Sequence, residues 1–319
     1  MISSNATGFS HSSFILIGIP GLEAAHIWIA FPLCSIYIIT LLGNTTILFI
    51  IKTEPSLHEP MYIFLSILAV IDLLLSTSTM PKMLMLLWFD RTEISFDACL
   101  IQMFLIHSLS AIESTILVAM AFDRFIAICH PLTHASILTI PVIAKVALMA
   151  IVRGVLFFAP FPLLIMRLPF CRNNVLSHSY CVHQDVMKLA CADITPSIVY
   201  GLLAILLVMG VDSLLIFLSY VIILRTVLKL ASRQERLKAF NTCVSHLCAV
   251  LTFYIPLIGL SVIHRFGNSL APTAHNFMGN VYLLVPPALN PIVYGVKTKQ
   301  IRRRALKIFQ RRISMLSLV

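Results

Sequence analysis

Charged and polar side chains set inside apolar stretches are the residues of this chain whose types invite chemistry. Residues 106–131 read IHSLSAIESTILVAMAFDRFIAICHP and carry Glu113, Asp123 and Arg124. An ionisable group at the centre of a hydrocarbon layer costs at least about 2.5 to 3.5 kcal/mol on insertion scales, so it must face other helices or water and find a partner. Asp123 and Arg124 are adjacent and suit an ion pair. Glu113 lies eleven residues before Arg124, and at about 100° per residue the two fall within roughly 20° of one helical face. Asp72 puts a second carboxylate in another apolar stretch, and Asn290 puts an amide in a third. Two carboxylates brought together in low dielectric share a proton or hold a cation such as sodium; the alternative is a structural hydrogen-bonded network. Asp212, in a further stretch, reads as a buried polar contact.

A second set of side chains suits recognition of a small molecule. His107, Ala111 and Ser114 lie on one stripe of a helix. Tyr254, Ile258, Ser261 and Arg265 step by four, three and four residues and share a face of another. Gly201 and Ile205 sit four residues apart on a third. An Arg at a helix end snorkels to headgroups or holds a carboxylate through the parallel donors of its guanidinium, and both readings of Arg265 stand. His183 and Gln184, in a polar loop, offer donors from above. No nucleophile with a base and orienting partner, no phosphate loop and no HExxH-type metal site occurs, so neither an enzyme nor a cofactor is expected.

Composition sets the medium. Of 319 residues 59% are hydrophobic and 11% charged, against about 25% charged in soluble domains. The 23 Lys and Arg exceed the 13 Asp and Glu, yet eight of the 23 lie in residues 297–319, which reads as a tail on a membrane surface rather than a nucleic-acid site. Within that tail Ile301, Ala305, Ile308 and Phe309 recur at helical spacing among Arg and Lys. An amphipathic helix on an anionic leaflet is expected, with a solvated tail as the alternative. Cys171, Cys181 and Cys191 lack the close pairing of zinc sites and favour disulfides, whereas Cys34, Cys129, Cys243 and Cys248 read as small core residues.

Seven apolar runs, roughly 27–51, 61–87, 98–128, 142–166, 198–224, 239–263 and 274–296, are each long enough to cross about 30 Å of hydrocarbon. The expected fold is an all-α membrane protein, a seven-transmembrane helix bundle (27–296) between an N-terminal segment (1–26) and the basic amphipathic tail (297–319). Residues 1–26 lack the basic n-region of a signal peptide, so the first span is expected to direct its own insertion. Placing the N-terminus outside puts sixteen basic residues on the inner side and five on the outer. Lys82 and Arg153 lie within spans and decide nothing. Asn5-Ala6-Thr7 is a glycosylation acceptor on this reading; Asn44-Thr45-Thr46, inside the first run, is not.

Several words in order carry a resemblance: Gly43-Asn44, LHEPMY at 57–62, Asp72, MAFDRFIAICHPL at 120–132, KAFNTCVSH at 238–246, and Pro291 to Tyr294. They resemble the olfactory receptors, which are rhodopsin-like G-protein-coupled receptors. PGLE at 20–23 and His183-Gln184-Asp185 are similar to the class I, fish-like branch and its family 51 group. Phe125 departs from the Tyr often found beside the Asp-Arg pair. The resemblance implies a plasma-membrane receptor for a small organic odorant, with studied members of the group pointing to carboxylic acids and here to a short or medium one, that activates a stimulatory G protein and raises cAMP. It implies a sodium-like site at Asp72, Glu113 and Asn290, and a G-protein switch at Asp123, Arg124, Ser245, His246, Asn290, Pro291 and Tyr294. It pairs Cys99 with Cys181, which leaves Cys171 for Cys191. A neutral odorant is the alternative ligand. A transporter or channel is the alternative class, since buried charges can line a path.

Overall fold

Seven helical segments pack side by side in a computed structural model that describes residues 13–170, 174–230, 232–266, 272–298 and 300–307, without the side chains of 242, 264–266 and 272. They are α1 (His26–Thr53), α2 (Pro60–Phe89), α3 (Phe96–Cys129), the broken pair α5 (Ile140–Phe158) and α6 (Pro160–Met166), the pair α8 (Thr195–Ile205) and α9 (Val211–Lys229), α10 (Arg233–Phe266) and α11 (Pro272–Lys297). One-turn helices α4 (His134–Ile137) and α7 (His183–Met187) lie in the connections. Local chemistry sets the ends. Pro60 starts α2 at a position whose N–H has no helical partner. Asp90, at φ 52°, ends it in the left-handed region. The Ser95 hydroxyl caps α3 by accepting from Ala98 N–H at 3.3 Å.

Six of these segments are long and apolar enough to cross a membrane. The seventh, α11, falls short because it carries buried Asn276, Asn280 and Asn290 and three prolines, Pro286, Pro287 and Pro291. It closes the bundle against α1, α2 and α10. Gly43 permits that closure, since a Cβ there would stand 2.8 Å from the Pro291 ring. The expected seven-helix bundle is therefore observed. α3 runs through its middle, buried on almost every face, and its Ile116 shares one continuous core with Phe64 and Leu68 of α2 and Phe253 of α10.

Three features differ from the sequence expectation. The fourth span breaks at Ala159–Pro160, where proline has no N–H to continue the ladder. The fifth contains a π-turn at Leu206–Gly210. α10 begins six residues before the apolar run at 239, so 238–246 lies within the helix instead of opening it. One end of the bundle is capped by a small sheet in the order β2 (Glu93–Ser95), β1 (Ser13–Leu16), β3 (Val175–Leu176), with β1 antiparallel to β2 and parallel to β3. At the other end residues 300–307 form a further helical stretch that packs against the bundle. Ile301 buries in the core, Ala305 packs beside it, and Arg304 pairs with Glu54 at 2.5 Å. Asn5, Cys171 and residues 308–319, Ile308 and Phe309 included, lie outside the described residues.

Candidate functional site

Beneath the cap a cavity of about 50 Å³ opens between α3, α10, the fifth span and the connecting loop. The loop is fixed over it from several directions. Cys99 at the start of α3 is disulfide-bonded to Cys181, with Cα atoms 5.4 Å apart, and Cys181 N–H donates to Gln102 Oε1 at 2.9 Å. Asp185 accepts from Ser177 N–H at 2.8 Å, the Ser177 hydroxyl at 2.7 Å and His178 Nδ1 at 2.9 Å. Burial alone pushes the Asp185 carboxyl up; the hydrogen bonds and charge of His178 and the donors of Ser177 overcome it and hold it below the usual carboxylate range. Asn276 of α11 donates to the carbonyls of Gly18 and Ser177. Cys191 is also disulfide-bonded; its expected partner, Cys171, lies outside the described residues.

Of the candidate ligand residues, His107, Gln184, Ile205 and Ser261 line the cavity together with Tyr180, Leu257 and Tyr282. His107 stacks on Phe158 at 5.7 Å and meets Phe161 edge-on at 5.0 Å, while its Nε2 is buried without a hydrogen-bond partner. The Tyr282 hydroxyl donates to Ser110 at 2.6 Å on the same lining. His183 is buried against Phe161, ring centroids 4.3 Å apart, with Gly201 beside it, and neither lines the cavity. Burial pulls the His183 imidazole down to about 4, so it is neutral at pH 7. Ile258 corrects the expected α10 stripe. It is 56% exposed on the outer surface, because the inward face runs through Phe253, Leu257, Leu260 and Ser261. The backbone of Arg265 continues α10 one turn past Ser261; its side chain lies outside the described residues.

One layer deeper, Ser114 and Tyr254 belong to a polar cluster instead of the cavity wall. The Ser114 hydroxyl donates to Asp212 Oδ2 at 2.7 Å and lies 2.7 Å from Tyr254 Oη. Arg153 Nη1 reaches both Asp212 oxygens at 2.8 Å and Thr115 Oγ1 at 2.9 Å. Arg153 Nη2 reaches the carbonyls of Leu207 and Val208 at 3.2 and 3.1 Å, in the π-turn where carbonyls depart from α-helical pairing. Residues of α3, α5, the fifth span and α10 thus meet at one ion pair. Counting basic residues for orientation says nothing of Arg153; the rule that an intramembrane charge must find a partner is the signal that links it to an intramembrane acid such as Asp212.

Asp72 is fully buried and accepts from Asn290 Nδ2 at 3.0 and 3.3 Å. Glu113 is equally buried, with Oε2 unpartnered. Asn44 Nδ2 ties α1 to the Pro287 carbonyl at 3.0 Å. At the end away from the cap, Asp123 is buried and holds Arg124 through Oδ2 (2.9 Å from Nε, 2.5 Å from Nη2) and His134 through Oδ1 at 2.8 Å. His246 bridges three helices: Tyr220 Oη lies 2.7 Å from its Nδ1, and Nε2 donates to the Leu117 carbonyl at 3.0 Å. Ser245 and Tyr294 are buried close to it in sequence and on α11 respectively, and Tyr294 Oη has no partner.

A helical bundle with a disulfide-fixed lid over a small cavity and a buried Asp-Arg pair at its far end has the architecture of a seven-helix membrane receptor. In keeping with this, squid rhodopsin superposes on it with a TM-score of 0.71 at 16% identity, covering 92% of this chain and 87% of that one. An olfactory receptor family model matches residues 33–312. Olfactory receptor 51E2 of Homo sapiens is 65% identical over 306 residues, 96% of each chain, and olfactory receptor 51E1 of Homo sapiens is 60% identical over 309 residues, 97% of each. The chain belongs to the olfactory receptor family of G-protein-coupled receptors. Its relatives are receptors, which leaves no place for an enzyme.

Proposed function

We propose that this receptor recognises a short carboxylic acid in the capped cavity and activates a stimulatory G protein at the opposite, cytoplasmic end, raising cAMP, with the capped end outside the plasma membrane. The observation that carries the ligand reading is a very small cavity with polar groups at its rim. A water needs about 10 to 15 Å³ of such space, so about 50 Å³ takes the equivalent of about three to five waters, the scale of a short acid. Ser261, Gln184 and the unpartnered His107 Nε2 can bond a carboxylate, and Arg265, one turn beyond Ser261, supplies its countercharge. Leu257, Ile205 and Met209 receive the alkyl chain. At the cytoplasmic end Arg124 leaves Asp123 to meet the G protein, while His246 exchanges its ties to α3 and α9. Asp72 and Glu113 hold a shared proton or a sodium ion, since Asn290 alone does not satisfy two carboxylates.

The test is a dose-response series of acids and their methyl esters on the wild type and on Arg265→Ala and Arg265→Lys. Losing one partner of a desolvated ion pair costs about 2 to 5 kcal/mol, which is about a thirtyfold or larger loss of potency. Lys restores part of it, as a point charge without the fork. The described lining carries no charged side chain, and this favours a second reading, a neutral odorant. Esters as potent as acids, or an unchanged Arg265→Ala at equal surface expression, would establish that second reading.

A further inference from the structure

Residues adjacent on a helix point about 100° apart and do not face each other, so the Asp123–Arg124 pair forms only if both side chains bend together. Something outside that pair must set where the Asp123 carboxylate points. The carboxylate is fully buried and each oxygen has a separate partner: Oδ2 takes Arg124 and Oδ1 takes His134 Nε2 at 2.8 Å. His134 belongs to no spanning helix. It opens α4, the single turn joining α3 to α5, and the turn is braced by its own hydrogen bonds, from Thr133 N–H to the His130 carbonyl, from the Ser136 hydroxyl to the Thr133 carbonyl and from Leu138 N–H to the His134 carbonyl. The loop therefore presents the imidazole from a defined position.

We propose that His134 is a positioning residue of the switch: it fixes the Asp123 carboxylate in the orientation that retains Arg124, so that displacement of the α3–α5 loop frees the arginine. The inference rests on the reading of Asp123–Arg124 as the switch. It makes the loop a second control, separate from the outward movement of any spanning helix. Without His134 the carboxylate turns freely and Arg124 is released more often in the absence of ligand.

The experiment measures ligand-free nucleotide exchange on a purified stimulatory G protein by the full-length receptor, normalised to receptor amount, for wild type, His134→Ala, His134→Gln, Asp123→Asn and the Asp123→Asn/His134→Ala double variant. A hydrogen bond to a charged group sets the scale at about tenfold to a hundredfold. His134→Ala is expected to raise basal exchange by about tenfold or more, Gln to restore it by placing an amide donor near the Nε2 position, and His134→Ala to add nothing in the Asp123→Asn background. An Ala variant with unchanged or lowered basal exchange, an unrescued Gln variant, or an equal effect with and without the Asp123 carboxylate would overturn the positioning role. If Asp123→Asn itself leaves basal exchange at the wild-type level, the switch reading beneath the proposal fails instead, and the two failures are distinct.

Discussion

Replacing Asp212 by Ala strikes a point where four spans meet at an ion pair. The carboxylate is almost completely buried and accepts three hydrogen bonds, two from Arg153 Nη1 and one from Ser114. Removing one partner of a buried pair costs about 3 to 5 kcal/mol because the other charge stays behind unpaired. Arg153 retains the Leu207 and Val208 carbonyls and its side chain is 21% exposed, which places the expected loss near the lower figure, about 3 kcal/mol. Removing both charges is different. In Arg153→Met/Asp212→Leu, Thr115 still donates to the Ala111 carbonyl and Ser114 still meets Tyr254, so no hydroxyl is orphaned. The double variant should lie within about 1 kcal/mol of wild type. Equilibrium unfolding of the purified receptor in mixed micelles, run on wild type, Arg153→Met, Asp212→Leu and Arg153→Met/Asp212→Leu, gives the coupling energy directly, with Asp212→Ala measured beside them. A single Asp212→Ala loss below about 1 kcal/mol, or a double variant as unstable as the two singles added, would refute the assignment of this pair as a buried, mutually dependent unit.

The lid makes two further predictions besides those attached to Arg265 and His134. Replacing Cys99 and Cys181 by Ala opens a loop of 82 residues, which costs about 4 to 5 kcal/mol in chain-entropy models, and the fraction of folded receptor recovered at 37 °C should fall sharply; recovery equal to wild type would count against it. Acidification should also loosen the lid. The Asp185 carboxyl is held low, so its contribution is full above the ordinary carboxylate range and lost as pH falls through its folded value. His183, pulled from 6.5 to about 4, acts in the same direction from below about pH 6.5, because the unfolded chain takes up the proton first; the full span corresponds to about 3 kcal/mol. Thermal midpoints measured from pH 7 to 3 should decline, and His183→Phe should flatten the upper part of that decline, between pH 7 and 5; a wild-type midpoint that is flat over that upper part contradicts the account.

The bundle was legible because hydrocarbon imposes length and composition on every span, and six of seven meet that demand plainly. α11 was legible as a span from its length, although its buried asparagines lower its apolarity. Breaks were not legible to the same degree. Pro160 carries a signal for the fourth span, but the π-turn at 206–210 sits in an unbroken apolar run, and only the carbonyls taken by Arg153 reveal its use. Spacing on α10 brought Tyr254 and Ser261 to the inner side and misplaced Ile258, since a stripe of period 3.6 fixes which residues share a face and not which neighbour that face meets. His134 and Asp185 act through tertiary pairing with residues whose positions depend on loops, where no periodicity operates.

The cap also fixes an order of events in biogenesis. β1 is the central strand of its sheet, so the first described residues to emerge from the ribosome, Ser13–Leu16, have no complete place to go until Glu93–Ser95 and Val175–Leu176 have followed. Two spans separate the first edge from the centre and two more separate the second. This early strand is therefore among the last to settle, and its settling requires that four spans have already been threaded. A chain with a misinserted helix among those four would leave β1 unpaired, with its strand edges bare and open to pairing with another chain.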